Sequence, residues 1–164
     1  MTTRSQAVDP GSWFTADHSQ GTQAVKTETN GAYVAPRDYA LGACLVISWS
    51  AVLAASESVT ITANAQDATS AAGAGVADFT NPIADGNGLY TLAAFVAHTD
   101  GGAGATATGV TFLRLPDIAA HRGFLRSQVL LTNGGAGAVE YSTQWIWGGG
   151  ETLPSSGSFL TGEA

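Results

Sequence analysis

Residues 58–66 read SVTITANAQ, and every second residue in this stretch is apolar. Successive side chains of a strand point to opposite faces, so Val59, Ile61, Ala63 and Ala65 share one face. Polar residues occupy the other face. The period predicts a strand with one face in a core and the other toward solvent.

Similar segments flank this stretch on both sides. Residues 39–49 read YALGACLVISW, an almost wholly apolar run that predicts a central strand covered on both faces. A helix is the alternative there, but β-branched and aromatic residues favour a strand. We also expect strands over the following segments: 89–98, 110–115, 124–132 and 139–147.

Glycine-rich stretches separate these segments. Asn30-Gly31 predicts a tight hairpin turn between residues 22–28 and 32–34. Asn133-Gly134-Gly135-Ala136-Gly137 joins the last two strands into a pair. Residues 67–88 form a long loop, and Asp117 could cap one helical turn before the next strand.

Seven to nine short strands, regular turns and no long helix predict an all-β chain folded as one antiparallel β-sandwich, with a jelly roll as the candidate arrangement. The loops are long and rich in glycine and alanine. Residues 1–12 are expected to form a flexible arm, residues 13–154 the domain, and residues 155–164 a flexible tail.

The composition of the chain reduces the number of functional classes to which it could belong. Only 12% of the residues are charged, against about 25% in typical domains. The net charge is −7 and the six basic residues are scattered, which excludes the basic stripe that nucleic acid requires. No apolar stretch approaches a membrane span or a signal peptide, so we expect no membrane partner and synthesis in a cytoplasm.

Candidate reactive groups form no recognisable constellation. Cys44 lies in an apolar run and is expected to be a small buried side chain. A metal site could draw on the chain's histidines and nearby acids, but no fixed ligand spacing supports it (His18, His98, Asp100, Asp117, His121). Residues 85–88 read DGNG, which favours a turn over a calcium loop. We therefore expect no enzyme, no metal and no cofactor.

Aromatic residues are the remaining candidates for recognition. Alternation over residues 139–147 places Trp145 and Trp147 on one face with Val139 and Tyr141. We interpret Trp13, Trp145 and Trp147 as core or subunit-interface aromatics, in preference to a platform on which a sugar would stack.

Several local motifs together resemble one class of protein. They are Trp13-Phe14-Thr15-Ala16-Asp17, the tract 39–47, Asn64-Ala65-Gln66-Asp67-Ala68, Arg122-Gly123-Phe124-Leu125-Arg126, and Trp147-Gly148-Gly149 with Leu153-Pro154. They resemble small β-sandwich virion proteins of tailed bacteriophages and gene-transfer agents, which serve as capsid decoration, cement or head-spike proteins.

The resemblance implies a location on the capsid surface of a virion, after synthesis in the host cytoplasm. It implies two partners: the major capsid protein and further copies of the chain, with a trimer favoured. The implied role is to stabilise the shell. The alternative is a glycan- or host-surface-binding module of a phage spike or tail, acting through the loops at 67–88 and 99–108.

Overall fold

The computed structural model describes residues 15–38, 40–79, 91–102, 104–115 and 117–148. The described chain is all β. Within the described residues there is no helix long and apolar enough to cross a membrane. Its strands are β1 (Thr15–Gln23), β2 (Thr29–Asn30), β3 (Gly42–Leu53), β4 (Ser58–Ala68), β5 (Ala77–Asp78), β6 (Thr91–Thr99), β7 (Ala105–Leu115), β8 (Phe124–Asn133) and β9 (Val139–Gly148). The predicted arm, the predicted tail and residues 13–14 and 149–154 lie outside the described residues.

Two antiparallel sheets pack face to face. The first sheet has the order β1-β9-β3-β7, and the second has the order β2-β8-β4, with β5 and β6 both on the remaining edge of β4. The chain changes sheet at almost every connection and stays in one sheet only from β4 to β6. This order is that of a jelly roll, so the predicted β-sandwich is confirmed in its more specific form.

The core lies between the two sheets. On β4 the apolar face predicted from the two-residue period is buried, with Val59, Ile61 and Ala65 fully enclosed. On β9 the inward face carries two indoles, a phenol and two smaller side chains, all buried (Val139, Tyr141, Thr143, Trp145, Trp147). Sheets that pack face to face bury alternate residues, which is why these two strands could be read from sequence.

The prediction for the apolar run at 39–49 is half right. β3 is central, because it pairs with β9 on one side and β7 on the other. Its two faces nevertheless differ: residues such as Leu45 and Ile47 are buried, while the alternate residues are half-buried or exposed. Cys44 belongs to that outer set and is half-buried, so its prediction as a buried side chain was wrong.

The hairpin predicted at Asn30-Gly31 was also wrong. Thr29 and Asn30 pair with β8, the Gly31 N–H donates to Ser127 O, and Val34 forms a bridge with Leu125. The segment therefore continues along one neighbour without turning back. Glycine is required because a Cβ at Gly31 would lie 2.3 Å from Ser19 Oγ and 2.5 Å from Ser127 Oγ.

The last two strands do not pair with each other. β8 lies in the second sheet and β9 in the first, so residues 134–138 form an arch between sheets, and the predicted pairing was wrong. The predicted turn after β7 is present in a short form, since the His121 N–H donates to Ile118 O. Ile118 itself is fully buried and closes this end of the core.

Candidate functional site

The structure places two of the three candidate tryptophans inside the sandwich. Trp145 and Trp147 are both fully buried, and their rings stack with centroids 5.5 Å apart. The Trp147 Nε1–H donates to Asp17 Oδ2 at 2.6 Å. Neither indole is open to a sugar or a second subunit, so both are core residues. Trp13 lies outside the described residues.

Three of the five residues weighed as metal ligands shape turns instead, whereas His18 lies on β1 and His98 on β6. Asp117 Oδ1 accepts the Ala119 N–H at 2.8 Å, and His121 Nδ1 lies 2.7 Å from Ile118 O. Asp100 Oδ2 accepts the N–H groups of Gly102 and Gly104. Within the described ranges, no three His, Cys, Asp or Glu side chains cluster closely enough to hold an ion. The DGNG stretch at 85–88 lies outside those ranges.

A band of polar side chains crosses the outer face of the second sheet. Asp78 Oδ1 accepts from Asn64 Nδ2 at 2.7 Å and from Gln66 Nε2 at 3.0 Å. Gln66 Oε1 in turn accepts from Arg126, whose guanidinium lies 4.8 Å from the Tyr33 ring centroid. Most of these groups bind one another, so the band holds the sheet together more than it offers free groups to a ligand.

Beside this band, an ion pair fixes the connection that leads into β8. Arg122 donates to the Asp67 carboxylate, whose residue is only 4% exposed, and to Asp67 O. The hydrogen bond to Asp67 raises the pKa of Arg122 above its ordinary value. A buried carboxylate needs such a partner, and the pair therefore has a structural role.

The outer face of the first sheet has a different character. Apart from Glu140, its described side chains on β3, β7 and β9 are small, aliphatic or neutral. We call this set the first-sheet face (Cys44, Val46, Ser48, Ser50, Val52, Thr106, Thr108, Val110, Glu140, Ser142, Gln144, Ile146). Val110 is 56% exposed and Val52 is 45% exposed. Among these side chains only Glu140 carries a full charge at neutral pH, and it lies toward one end of the face.

Between the sheets, a chain of buried hydrogen bonds runs beneath β1. Ser19 Oγ lies 2.7 Å from Ser127 Oγ, which lies 3.2 Å from Thr143 Oγ1. Thr143 donates to Gln20 Oε1 at 3.4 Å, and Gln20 Nε2 donates to Thr29 Oγ1 at 2.8 Å. We call these residues the hydroxyl network, together with Tyr141.

Tyr141 ends the hydroxyl network. Its hydroxyl is hydrogen-bonded to Thr29 Oγ1 and donates to Val129 O at 3.2 Å. Burial raises the pKa of the Tyr141 phenol, and the bond to Thr29 offsets part of that rise. Sequence reasoning missed the network because its members come from four separate strands and share no spacing.

No family model matches this chain, and no curated protein shows significant similarity to it. The resemblance to virion proteins therefore stays a prediction that rests on local motifs.

Proposed function

We propose that the protein is a structural component of a tailed bacteriophage virion, which docks on the capsid surface through the first-sheet face and stabilises the shell. The observation that carries the proposal is the character of that face. Aliphatic side chains stand partly exposed among serines and threonines, with a single described charge toward one end. Exposed aliphatic side chains on a face with few charges favour contact with another protein surface.

The regularity of the first sheet supports a broad contact. β3 pairs with β7 from Ala43 to Leu53 and with β9 from Gly42 to Ala51, without a register shift in either ladder. A regular three-stranded surface presents its outward side chains in even rows. Such a surface suits another protein surface better than it suits a small ligand, which binds in a concave site.

Low charge supports a permanent contact. Charged groups lose water when an interface forms, and they are depleted at the centres of protein interfaces. The centre of the first-sheet face, around Ser48 and Val110, contains no described charge. Docking there would bury aliphatic surface without burying an unpaired charged group. Such a contact suits a protein that stays bound.

Shell stabilisation would follow from binding alone. A protein that binds the intact shell and not its separated subunits shifts the equilibrium toward the intact shell. The role requires no catalytic group, and the major capsid protein is the partner it assigns. Self-association, as a trimer or in another form, is not required for this role.

The test is binding to particles that lack the protein. We expect the purified chain to add back to such particles and to raise the temperature at which they rupture. Ser48→Lys places a charge at the centre of the first-sheet face and should reduce occupancy at least tenfold. Thr132→Lys places the same charge on the outer face of the second sheet and should bind as the unmodified chain does.

Three outcomes would refute the proposal. They are absence of the chain from purified virions by mass spectrometry, unchanged occupancy with Ser48→Lys, and equal loss with Thr132→Lys. Circular dichroism on both variants would establish that any lost binding is not lost folding.

A further inference from the structure

The four sheet edges of the sandwich are not equally protected. β1 meets β9 with two register shifts, and β6 meets β4 with two more. β2 is only two residues long. Short strands and bulges are the usual means by which proteins prevent edge-to-edge pairing. Three of the four edges therefore carry a recognisable safeguard.

β7 carries none of them within its described residues. It spans Ala105–Leu115 and pairs with β3 in continuous register along its whole length. Its sequence, ATATGVTFLRL, contains no proline and no lysine, and its one charged residue lies near the end. At roughly 3.3 Å per residue the strand is about 35 Å long. Among the described residues, no strand pairs with its other side, which we call the open edge.

The core is also incompletely covered along this edge. The inward-facing residues of β3 are buried, whereas Ala107, Gly109 and Thr111 on β7 are half-buried. A Cβ at Gly109 would lie 2.5 Å from the Trp49 ring, so the indole lies against this glycine. One more strand beside β7 would complete the cover that the inner faces of β3 and β9 already have.

We infer that β7 pairs antiparallel with β7 of a second copy of this chain, which joins two first sheets into one continuous sheet. This self-association does not depend on docking to a shell. Main-chain N–H and C=O groups of the two open edges would bind each other, as in other cases of strand addition.

The charge pattern of β7 permits a second copy of this strand as the occupant of the open edge. In a two-fold pairing centred on Gly109, Arg114 lies opposite Gly104, and centred on Val110 it lies opposite Thr106. Neither register opposes like charges, which would destabilise a cross-strand pair. A two-fold contact also uses the same patch on both copies, so each copy consumes its open edge and the assembly stops at two.

The first experiment measures oligomeric state by sedimentation velocity on the full chain over a wide concentration range. We expect a reversible monomer–dimer equilibrium. Val110→Lys places one ammonium from each copy beside the two-fold axis, and should raise the dimer dissociation constant at least tenfold. Gln144→Lys adds the same charge to an exposed site on β9, two strands from the open edge, and should leave that constant within twofold of the unmodified value.

The second experiment measures amide hydrogen exchange in the β7 peptide at concentrations below and above dimer dissociation. We expect about half of its amides to gain protection only above it, since alternate amides of an edge strand face outward. Protection at every concentration in a monomer would mean that another segment of this chain covers the edge, and would overturn the inference.

Each of the following results would also overturn it: a monomer with unprotected β7 amides at all concentrations, a trimer, or a dimer that Gln144→Lys dissociates as readily as Val110→Lys. None of these bears on particle binding, which is measured by occupancy with Ser48→Lys. Failure of the edge contact and failure of the capsid role can therefore be told apart.

Discussion

β1 and β7 are the two edge strands of the same sheet, yet they end it in opposite ways. β1 turns Ser19 and Gln20 inward and is broken by register shifts on both sides of Gln20. β7 runs in continuous register, and the residue it places beside the core at mid-strand is Gly109, against the Trp49 ring. One edge is polar and irregular, and the other is largely apolar and regular.

The polar groups of the two edges find their hydrogen-bond partners in different places. Beneath β1, the hydroxyl network links the first sheet to β2 and β8, so its buried polar groups find partners inside one chain. Buried polar groups destabilise a fold strongly when a partner is removed. Along β7 the main-chain groups of the open edge are left to solvent or to a partner. Changes near β1 should therefore alter stability, and changes along β7 should alter assembly.

Gly31→Ala should have the largest effect on stability. The added Cβ would lie within 2.5 Å of the hydroxyls of both Ser19 and Ser127, and 3.0 Å from Ser19 O. The sheets must separate or the network must break, and overpacking of this kind costs up to about 3 kcal/mol. Urea unfolding followed by tryptophan fluorescence measures the change.

Gly101→Ala is the matched control, since nothing lies within 4 Å of a Cβ there. We expect its free energy of unfolding to stay within about 0.5 kcal/mol of the unmodified value. Equal stability of the two variants would mean that the β1 side is no more tightly packed than an exposed connection. It would contradict the assignment of stability to the β1 edge.

Sequence patterns predicted those strands that can be recognised without knowing which strands lie beside them. The two-residue period of burial holds along the whole of β9, which includes Tyr141, and along β4 from Ser58 to Ala63; beyond that point Asn64 and Ala68 on the other face of β4 are buried as well. Strand packing against an opposite sheet imposes that period directly. The sandwich could therefore be predicted from the sequence, together with much of its core.

Which strand pairs with which could not be predicted in the same way. Glycine-containing segments at 30–31 and 133–137 suggested hairpins, but the chain continues along β8 at the first and crosses between sheets at the second. A local turn signal reports where the chain bends and not which strand lies beside it. The jelly roll separates most consecutive strands into opposite sheets, so hairpin reasoning failed at both turns.

β1 and its network left no sequence signal at all. Residues 17–23 contain no aliphatic or aromatic side chain, so no apolar period marks a strand there. Ser19 and Ser127 are 108 positions apart in the chain. Such a contact depends on three-dimensional placement, and only the structure reveals it.

Ser127→Ala should have an intermediate effect. Ser127 is fully buried and its hydroxyl contacts those of Ser19 and Thr143. Its removal leaves two buried oxygens with fewer partners, which should cost about 2 kcal/mol of the free energy of unfolding. Thr108→Ala on the exposed side of β7 removes a hydroxyl of the same kind and should cost less than about 0.5 kcal/mol. The reverse order, measured by urea unfolding, would contradict a polar, stability-determining β1 edge.

Tyr141→Phe should have the smallest effect at neutral pH, and its effect should depend on pH. The variant loses the hydrogen bonds to Thr29 and Val129 O, a loss of about 1 kcal/mol. Burial raises the pKa of Tyr141 above the ordinary value of 10.0 in the folded chain. The folded state then holds the phenol proton more tightly than the unfolded state does.

Stability that depends on this proton is fully present below pH 10 and is lost as the pH rises through the raised pKa of the folded state. Phenylalanine cannot ionise, so the advantage of the unmodified chain over Tyr141→Phe should shrink between pH 9 and pH 11, measured by urea unfolding at each pH. All other titratable groups are common to both chains, so their contributions cancel in the difference. An advantage that is constant or grows over this range would mean that the Tyr141 hydroxyl meets solvent, and that the hydroxyl network does not seal the β1 side of the sandwich.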